Sequence, residues 1–173
     1  MEIAAEEELL LSRAVRLDPA ALQNLADQHA SSFYGFLLHV FLGDADLARE
    51  TLVRAWAETL KSFAPFEEKV PFPVALAFHA LADIKEPASK KSRPGFPGPE
   101  ATREPRLRLI FEALPRLPLE KRILLLLRDQ LDFSLEELSF VLSLSEDQLR
   151  HRLKEARLAL RLEVEHLLPQ KKA

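Results

Sequence analysis

The sequence predicts an all-α protein. Apolar residues recur at the spacing of one helical face along most of the chain, as they do over residues 47–60. No segment alternates apolar and polar residues over the length of a strand. Residues that cap helix N-termini precede the apolar runs, and Ser134 with Glu137 three residues later has the spacing of a capping box. Together these observations favour helices throughout.

Four helices are predicted in the N-terminal part. The first has an apolar face that includes Leu9 and Leu17. Asp18 before Pro19 is an N-cap followed by proline at the first helical position. We therefore expect the second helix to begin there and to run towards Leu42.

The third helix is expected after Gly43, with Asp44 as its cap. It carries apolar residues at helical spacing, namely Leu47, Leu52, Val53, Trp56 and Leu60. In this register Leu52 and Trp56 face inward, because residues four apart share a face. Pro65 then breaks the pattern, and a fourth, weaker helix is predicted from Phe72 to Ile84.

Residues 86–104 are predicted to be a flexible linker. Five of the twelve prolines and two of the four glycines lie between Lys85 and Pro105, and Phe96 is the only large apolar residue there. Such a segment cannot continue a helix and buries little apolar surface. We therefore expect two helical domains, at residues 1–85 and 105–173.

The C-terminal part also predicts four helices. The first is Leu107–Leu114, and Pro118 opens the second. The capping box begins the third over Leu135–Leu142, and Ser145 caps a fourth that runs to about Leu168. Only residues 143–145 separate the last two helices, and so short a turn is typical of a helix-turn-helix.

The last helix is the candidate DNA reader. Its apolar stripe, which we expect to be buried, is made of Leu149, Leu153, Ala156 and Leu160. The candidate DNA-binding residues are Gln148, Arg150, His151, Arg152, Lys154, Arg157 and Arg161. Arg150, His151 and Lys154 are expected nearest the bases and the other cations nearer phosphates. The alternative is an ordinary helical hairpin with a solvated basic face.

Charge is divided unevenly along the chain, whose net charge is −3. Residues 1–85 hold 7 basic and 13 acidic side chains, whereas residues 148–161 hold 5 basic and 1 acidic. Only the second of these segments resembles a surface that faces phosphates.

Catalysis and membrane binding are not indicated. No cysteine occurs, the five histidines lack the spacing of metal ligands with carboxylates, and no glycine-rich phosphate loop is found. We expect no catalytic residues, no metal, no cofactor and no small-molecule substrate, and hence no enzyme. The acidic first residues differ from a signal peptide, and no apolar run reaches the roughly 20 residues that span a bilayer. A cytoplasmic location is expected.

Segments of both parts resemble sigma factors. In the C-terminal part they read LPRLPLEKRILLLLR over 114–128, FSLEEL over 133–138 and LSEDQLRHRLKEAR over 144–157. In the N-terminal part they read LLSRA over 10–14, DPAAL over 18–22 and DLARETLVRAW over 46–56. The chain is similar, over nearly its whole length, to the small two-domain class called extracytoplasmic-function sigma factors.

This resemblance implies a bacterial protein with three partners: the RNA polymerase core, promoter duplex DNA and an anti-sigma factor. It makes residues 1–85 a sigma region 2-like polymerase-binding domain and residues 105–173 a sigma region 4-like helix-turn-helix domain. The helix that grips the polymerase β′ clamp would offer Asp46, Arg49, Glu50 and Arg54 as exposed contacts.

The chain departs from the family over residues 70–85. There the family has a tryptophan and several Arg or Asn residues that melt and read the minus-ten element, whereas this chain has one lysine and one histidine. Phe72, Phe78 and His79 are candidates to stack on a base, with core packing as the alternative. Arg49 also stands where the family usually has glutamine.

Two other functions therefore stay open. The first is a degenerate sigma-like regulator that binds polymerase, an anti-sigma factor or itself without promoter recognition. The second is a plain helix-turn-helix regulator whose N-terminal bundle serves dimerisation.

Overall fold

The computed structural model describes residues 5–62, 70–82, 84 and 104–168. Within these ranges the chain is helical and has no strand, which confirms the predicted all-α fold class. The α-helices of these ranges are α1 (Ala5–Val15), α2 (Pro19–Val40), α3 (Ala45–Ser62), α4 (Phe72–Leu81), α5 (Pro105–Ala113), α6 (Leu119–Leu125), α7 (Leu135–Leu142) and α8 (Glu146–Leu167). A 3₁₀ turn, Leu114–Arg116, precedes α6, and a π-helical segment, Leu126–Gln130, continues it. None of the helices in these ranges has the length and apolar character needed to cross a bilayer.

The start of α2 lies where the sequence predicts it. The Asp18 carboxylate accepts hydrogen bonds from the backbone N–H groups of Ala20, at 3.0 Å, and Ala21, at 3.4 Å. Pro19 occupies the first helical position, where a missing N–H costs nothing. The cap therefore satisfies two of the amides that have no partner inside the helix.

Helix α3 is buried along a seam of small side chains. The residues of this seam are Ala48, Thr51, Ala55 and Thr59. Small residues let α3 pack closely between α2 and α4, and the larger Leu52 and Trp56 pack against the core as partly buried residues. Val53 does not share this face and is 65% exposed, because the seam is offset from the large apolar residues that the sequence pattern emphasises.

Helix α4 is largely buried. Its buried residues are Phe72, Val74, Ala75, Leu76, Ala77 and Ala80. The Phe72 ring packs edge-on against Trp56 of α3, with 5.1 Å between the ring centroids. The helix ends at Leu81, before the predicted end at Ile84.

In the C-terminal part α5, α6 and α7 all pack on α8. The run from Arg122 to Leu127, in α6 and the π-helical segment, is buried throughout. The Arg122 guanidinium donates a hydrogen bond to the carbonyl of Leu117 at 3.3 Å, which ties α6 to the end of the 3₁₀ turn. This buried run supplies the surface against which α8 is held.

The two helical parts contact each other. Helix α4 packs on α7, and α2 packs on both α6 and the π-helical segment. Buried apolar residues of both parts belong to one continuous core. The predicted linker, residues 86–104, lies outside the described residues except for Glu104, which immediately precedes α5.

Candidate nucleic-acid interface

The turn between α7 and α8 is built from local hydrogen bonds. Ser143 closes α7 in the left-handed region, with φ 53°. The Ser145 hydroxyl then accepts from the Gln148 backbone N–H, while the Gln148 side-chain oxygen accepts from the Ser145 N–H at 2.9 Å. The second capping box fixes the first turn of α8 in the same way that Ser134 and Glu137 fix α7.

The inner face of α8 agrees with the predicted stripe. Leu149, Leu153 and Ala156 are buried, and Leu160 is half-buried against the core. Because these four residues hold one side of α8 on α5, α6 and α7, the opposite side is left towards solvent. The predicted burial is thus complete for three of the four residues.

All seven candidate DNA-binding residues are exposed. Gln148 also has a structural role, because its side-chain oxygen accepts a hydrogen bond in the capping box. The sequence contained the signal for this role, because Ser145 and Gln148 have the three-residue spacing that the earlier box also shows. Only the amide nitrogen of Gln148 is outside the capping hydrogen bond.

Three of the five arginine and lysine candidates form ion pairs within the protein, and His151 also lies beside a carboxylate. Arg150 contacts Glu146 at 2.7 Å and also Asp147, and Arg161 contacts Glu165 at 2.7 Å. His151 lies 3.4 Å from Glu155 and Arg157 lies 2.8 Å from Asp129. Such exposed pairs contribute about 0–1 kcal/mol each, so a phosphate can replace the carboxylate partner.

Arg152 and Lys154 differ from the other candidates. Neither forms an ion pair with any part of the chain that the structure describes. Both are exposed on α8, so their charges are available to an anion without breaking an ion pair among the described residues. The spacing alone did not show which of the candidate cations are paired with carboxylates.

The candidate polymerase contacts on α3 are arranged around its outer surface. Asp46 and Arg49 are exposed and lie 3.5 Å apart, and Glu50 is exposed beside them. Arg54 is half-buried, and the pKa of the nearby Glu58 carboxyl is lowered mainly by the hydrogen bond and charge of Lys61, with smaller contributions from His79 and Arg54. Three of the four candidates are thus exposed on the surface. The exposed Val53 lies among them and was not anticipated as a surface residue.

The residues considered for base stacking on α4 are mostly occupied. Phe72 is fully buried against Trp56, so it packs in the core. Phe78 is 37% exposed and its ring lies 5.7 Å from that of Phe140 on α7. The His79 ring is hydrogen-bonded to the Ser62 hydroxyl at 2.8 Å, and burial lowers the pKa of this histidine.

A groove of about 570 Å³ lies beside the candidate interface. Aliphatic residues of α4, α6 and the α7–α8 turn form its floor. Its charged lining residues are Glu120, Lys121, Arg152 and Glu155, two of each sign. Over the described ranges, no three His, Asp or Glu side chains are grouped in a way that could hold a metal ion.

No protein-family model matches the chain, and no curated protein has significant similarity to it.

Proposed function

We propose that the chain is a sigma-factor-like transcription initiation protein. It binds the RNA polymerase core through residues 44–60 and duplex promoter DNA through residues 145–161. The observation that carries the proposal is the geometry of α8, which follows a doubly capped three-residue turn and is held by Leu149, Leu153 and Ala156. The sequence resemblance to sigma factors supplies the family. A cytoplasmic location accompanies the proposal because transcription takes place there.

DNA binding in this proposal begins with the two cations that have no ion pair among the described residues. Arg152 and Lys154 contact the duplex first, and the paired arginines exchange carboxylates for phosphates as α8 enters the major groove. The affinity of the isolated chain for DNA is lowered, because each carboxylate competes with a phosphate for its arginine. Polymerase, by holding the chain near a promoter, offsets this loss through a high effective concentration.

Polymerase binding is assigned to the exposed face of α3. Asp46, Arg49 and Glu50 provide charges of both signs, and Val53 provides an exposed apolar group beside them. An apolar residue surrounded by polar ones is a common composition for a protein-binding surface. In this proposal, residues 1–85 and 105–173 are two domains joined by the proline-rich linker. Helix α3 is the binding helix of the first domain, and α8 is the binding helix of the second.

A second candidate function is favoured by a different observation. The segment that would melt a promoter is the largely buried helix α4, and the part of the chain that contains it holds 13 acidic and 7 basic residues. The net negative charge of this part of the chain repels the phosphates of single-stranded DNA. The candidate is a degenerate sigma-like regulator that acts by protein contacts without promoter recognition.

Promoter-dependent transcription in vitro, with the purified chain added to core polymerase, separates the candidates. The proposed function requires start sites that appear only with the chain, and loss of these starts in the double variant Arg152→Gln/Lys154→Gln. The matched control is Arg108→Gln, an exposed arginine on α5. Binding of the chain to core polymerase without any such transcription supports the degenerate regulator instead. DNA binding without polymerase binding supports a plain helix-turn-helix regulator.

A parallel pulldown of core polymerase tests the α3 surface. Glu50→Lys and Val53→Asp should each reduce polymerase capture, whereas Glu6→Lys on α1 should not. Equal capture by all three variants would remove α3 from the proposal and leave the DNA-binding part to stand alone.

A further inference from the structure

The groove beside the candidate interface is lined by residues of both helical parts. Leu81 and Ile84 belong to the N-terminal part, and the other lining residues belong to α6, α7, the turn before α8 and α8 itself. Its volume of about 570 Å³ is within the range of small-molecule sites, which occur preferentially where domains meet. The groove is therefore large enough for one small ligand.

The apolar lining of the groove is aliphatic. Ile123 and Leu124 are nearly fully buried there. Five further residues are only partly buried and leave apolar surface accessible, namely Leu81, Ile84, Leu119, Leu142 and Leu144. Among the described residues no aromatic side chain lines the groove, so it offers no ring on which a nucleobase could stack. Such a lining fits a flexible hydrocarbon chain, whose binding would remove these side chains from water.

The charges at the groove favour an anionic head group. Lys121 and Arg152 both line it, and neither forms an ion pair with a residue that the structure describes. The two carboxylates are less available to a cation. Glu155 already lies 3.4 Å from the His151 ring. Glu120 is exposed to solvent, whereas Lys121 is half-buried. A carboxylate ligand can therefore accept charge-assisted hydrogen bonds from both cations without displacing an ion pair.

We propose that this groove binds a free single-chain amphiphile with an anionic head, such as a fatty acid. The hydrocarbon chain lies on the aliphatic lining, and the head group contacts Lys121 and Arg152. Binding of the ligand does not depend on the proposed function, but its effect does, because Arg152 is also one of the cations assigned to DNA. A bound anion neutralises Arg152, so the amphiphile and the duplex compete and each lowers the affinity of the other.

Isothermal titration calorimetry of the full-length chain at pH 8 tests the site. The ligands are octanoate, decanoate, dodecanoate and tetradecanoate, each below its micelle concentration. Each added methylene should raise the affinity about three- to fourfold while the chain still fits, and the gain should stop once the groove is filled. Dodecan-1-ol should bind about three- to tenfold more weakly than dodecanoate, as expected when two partly exposed ion pairs are lost. Dodecyltrimethylammonium should bind more weakly still.

Two variants separate the head-group contact from the chain contact. Lys121→Gln/Arg152→Gln should abolish the preference for dodecanoate over the alcohol and leave the affinity for the alcohol unchanged. Its matched control is Arg16→Gln/Arg108→Gln, which removes two exposed arginines outside the groove. Leu144→Phe places a larger side chain at a lining position and should weaken both ligands. Because the charge variant leaves the apolar lining intact, the head-group contact is tested even if Leu144→Phe does not fold.

Three results would overturn the proposed site. Equal affinities for dodecanoate, the alcohol and the ammonium, or tighter binding of the ammonium, would contradict the anionic head group. An affinity that rises without limit with chain length, equally in Leu144→Phe, would show adsorption outside the groove. Binding to phosphatidylglycerol vesicles without binding of free carboxylates would show a lipid-surface contact instead.

The competition with DNA is tested separately, with a labelled duplex. Dodecanoate should weaken duplex binding by the wild-type chain and have no effect on Leu144→Phe. Undiminished duplex binding by the chain saturated with dodecanoate would overturn the competition, while the site and the proposed function would stand. Absence of duplex binding with and without dodecanoate, while the carboxylates bind as expected, would remove the DNA-binding function and leave the site.

Discussion

The His39 ring nitrogen Nδ1 lies 3.1 Å from the side-chain oxygen of Gln130, although the two residues are 91 positions apart. His39 is on the inner side of α2, and Gln130 ends the π-helical segment after α6. A π-helical turn contains more residues than an α-helical turn, so it shifts the side chains that follow it. Such turns are frequent at functional sites. The contact between His39 and Gln130 therefore depends on the π-helical segment that follows α6 as well as on the histidine.

The buried histidine predicts a pH-dependent stability. Burial lowers the pKa of His39 below its ordinary value, and the hydrogen bonds with Gln130 and the Gly35 backbone offset this only in part. The unfolded chain therefore binds a proton more readily than the folded chain, so this contribution is complete above about pH 6.5 and is lost as the pH falls from there through the folded-state pKa.

Urea unfolding between pH 8 and pH 5 measures this loss. In His39→Gln the decline should become shallower, because glutamine does not titrate. His79 also has a pKa lowered by burial and contributes with the same sign, so His79→Gln is measured separately and should remove a smaller share. Asp18 and Glu58 have lowered pKa values, so their contributions are lost only at more acidic pH. Identical pH profiles for His39→Gln and the wild-type chain would refute the assignment.

Gly35 offers a stabilising substitution on the same face of α2. It lies inside the helix, and a Cβ there would be in ordinary contact with the Gln130 side chain, at 3.5 Å. Gly35→Ala should therefore raise the free energy of unfolding by about 0.5–1 kcal/mol, because alanine loses less backbone entropy in a helix. Chemical denaturation checks this value, and a destabilised variant would mean that the α2–Gln130 contact is tighter than the structure gives.

Leu17 offers a second stabilising substitution, at the end of α1. It has φ 60°, a conformation that suits glycine and strains leucine, and its side chain is 71% exposed, so little burial is lost on truncation. Leu17→Gly should increase the free energy of unfolding by about 0.5–1 kcal/mol. Leu9 is the matched control, because it is an exposed leucine inside α1, and Leu9→Gly should be destabilising by about 1 kcal/mol. Changes of the same sign in both variants would contradict the argument.

Local signals in the sequence were sufficient to predict where most of the helices lie and where the turn before α8 is placed. Asp18, Ser134 and Ser145 act through residues two or three positions away, so the chain order alone contains their hydrogen bonds. The stripe of Leu149, Leu153 and Ala156 is likewise a property of one helix. These features could be predicted because they require no knowledge of how distant segments pack.

Features that depend on tertiary packing were not predictable. Val53 has the spacing of a core residue, but the close approach of α3 to its neighbours selects the seam of Ala48 and Ala55 instead. The contact of His39 with Gln130 joins segments that no local pattern relates. The pairing of Arg157 with Asp129, 28 residues away, also depends on how the π-helical segment is placed beside α8.

That last pair yields a prediction about DNA binding. Asp129 is half-exposed and its carboxylate lies 2.8 Å from the Arg157 guanidinium, so it competes with a phosphate for this cation. Asp129→Asn should remove the competition and a negative charge at once. We expect stronger binding to duplexes of any sequence and a salt dependence steeper by up to about 0.9 in the slope of log affinity against log salt, the value for one additional phosphate contact.

The double variant identifies the cause of this gain. Arg157→Ala alone should weaken DNA binding across sequences and flatten the slope by about one unit. If Asp129 acts through Arg157, adding Asp129→Asn to Arg157→Ala should recover much less affinity than it adds to the wild-type chain, since neighbouring residues that share one interaction are not additive. Equal gains in the two backgrounds would mean that Asp129 acts only as a general negative charge. No change in either background, at any salt concentration, would argue that Arg157 is remote from the duplex and that α8 does not bind DNA in the proposed orientation.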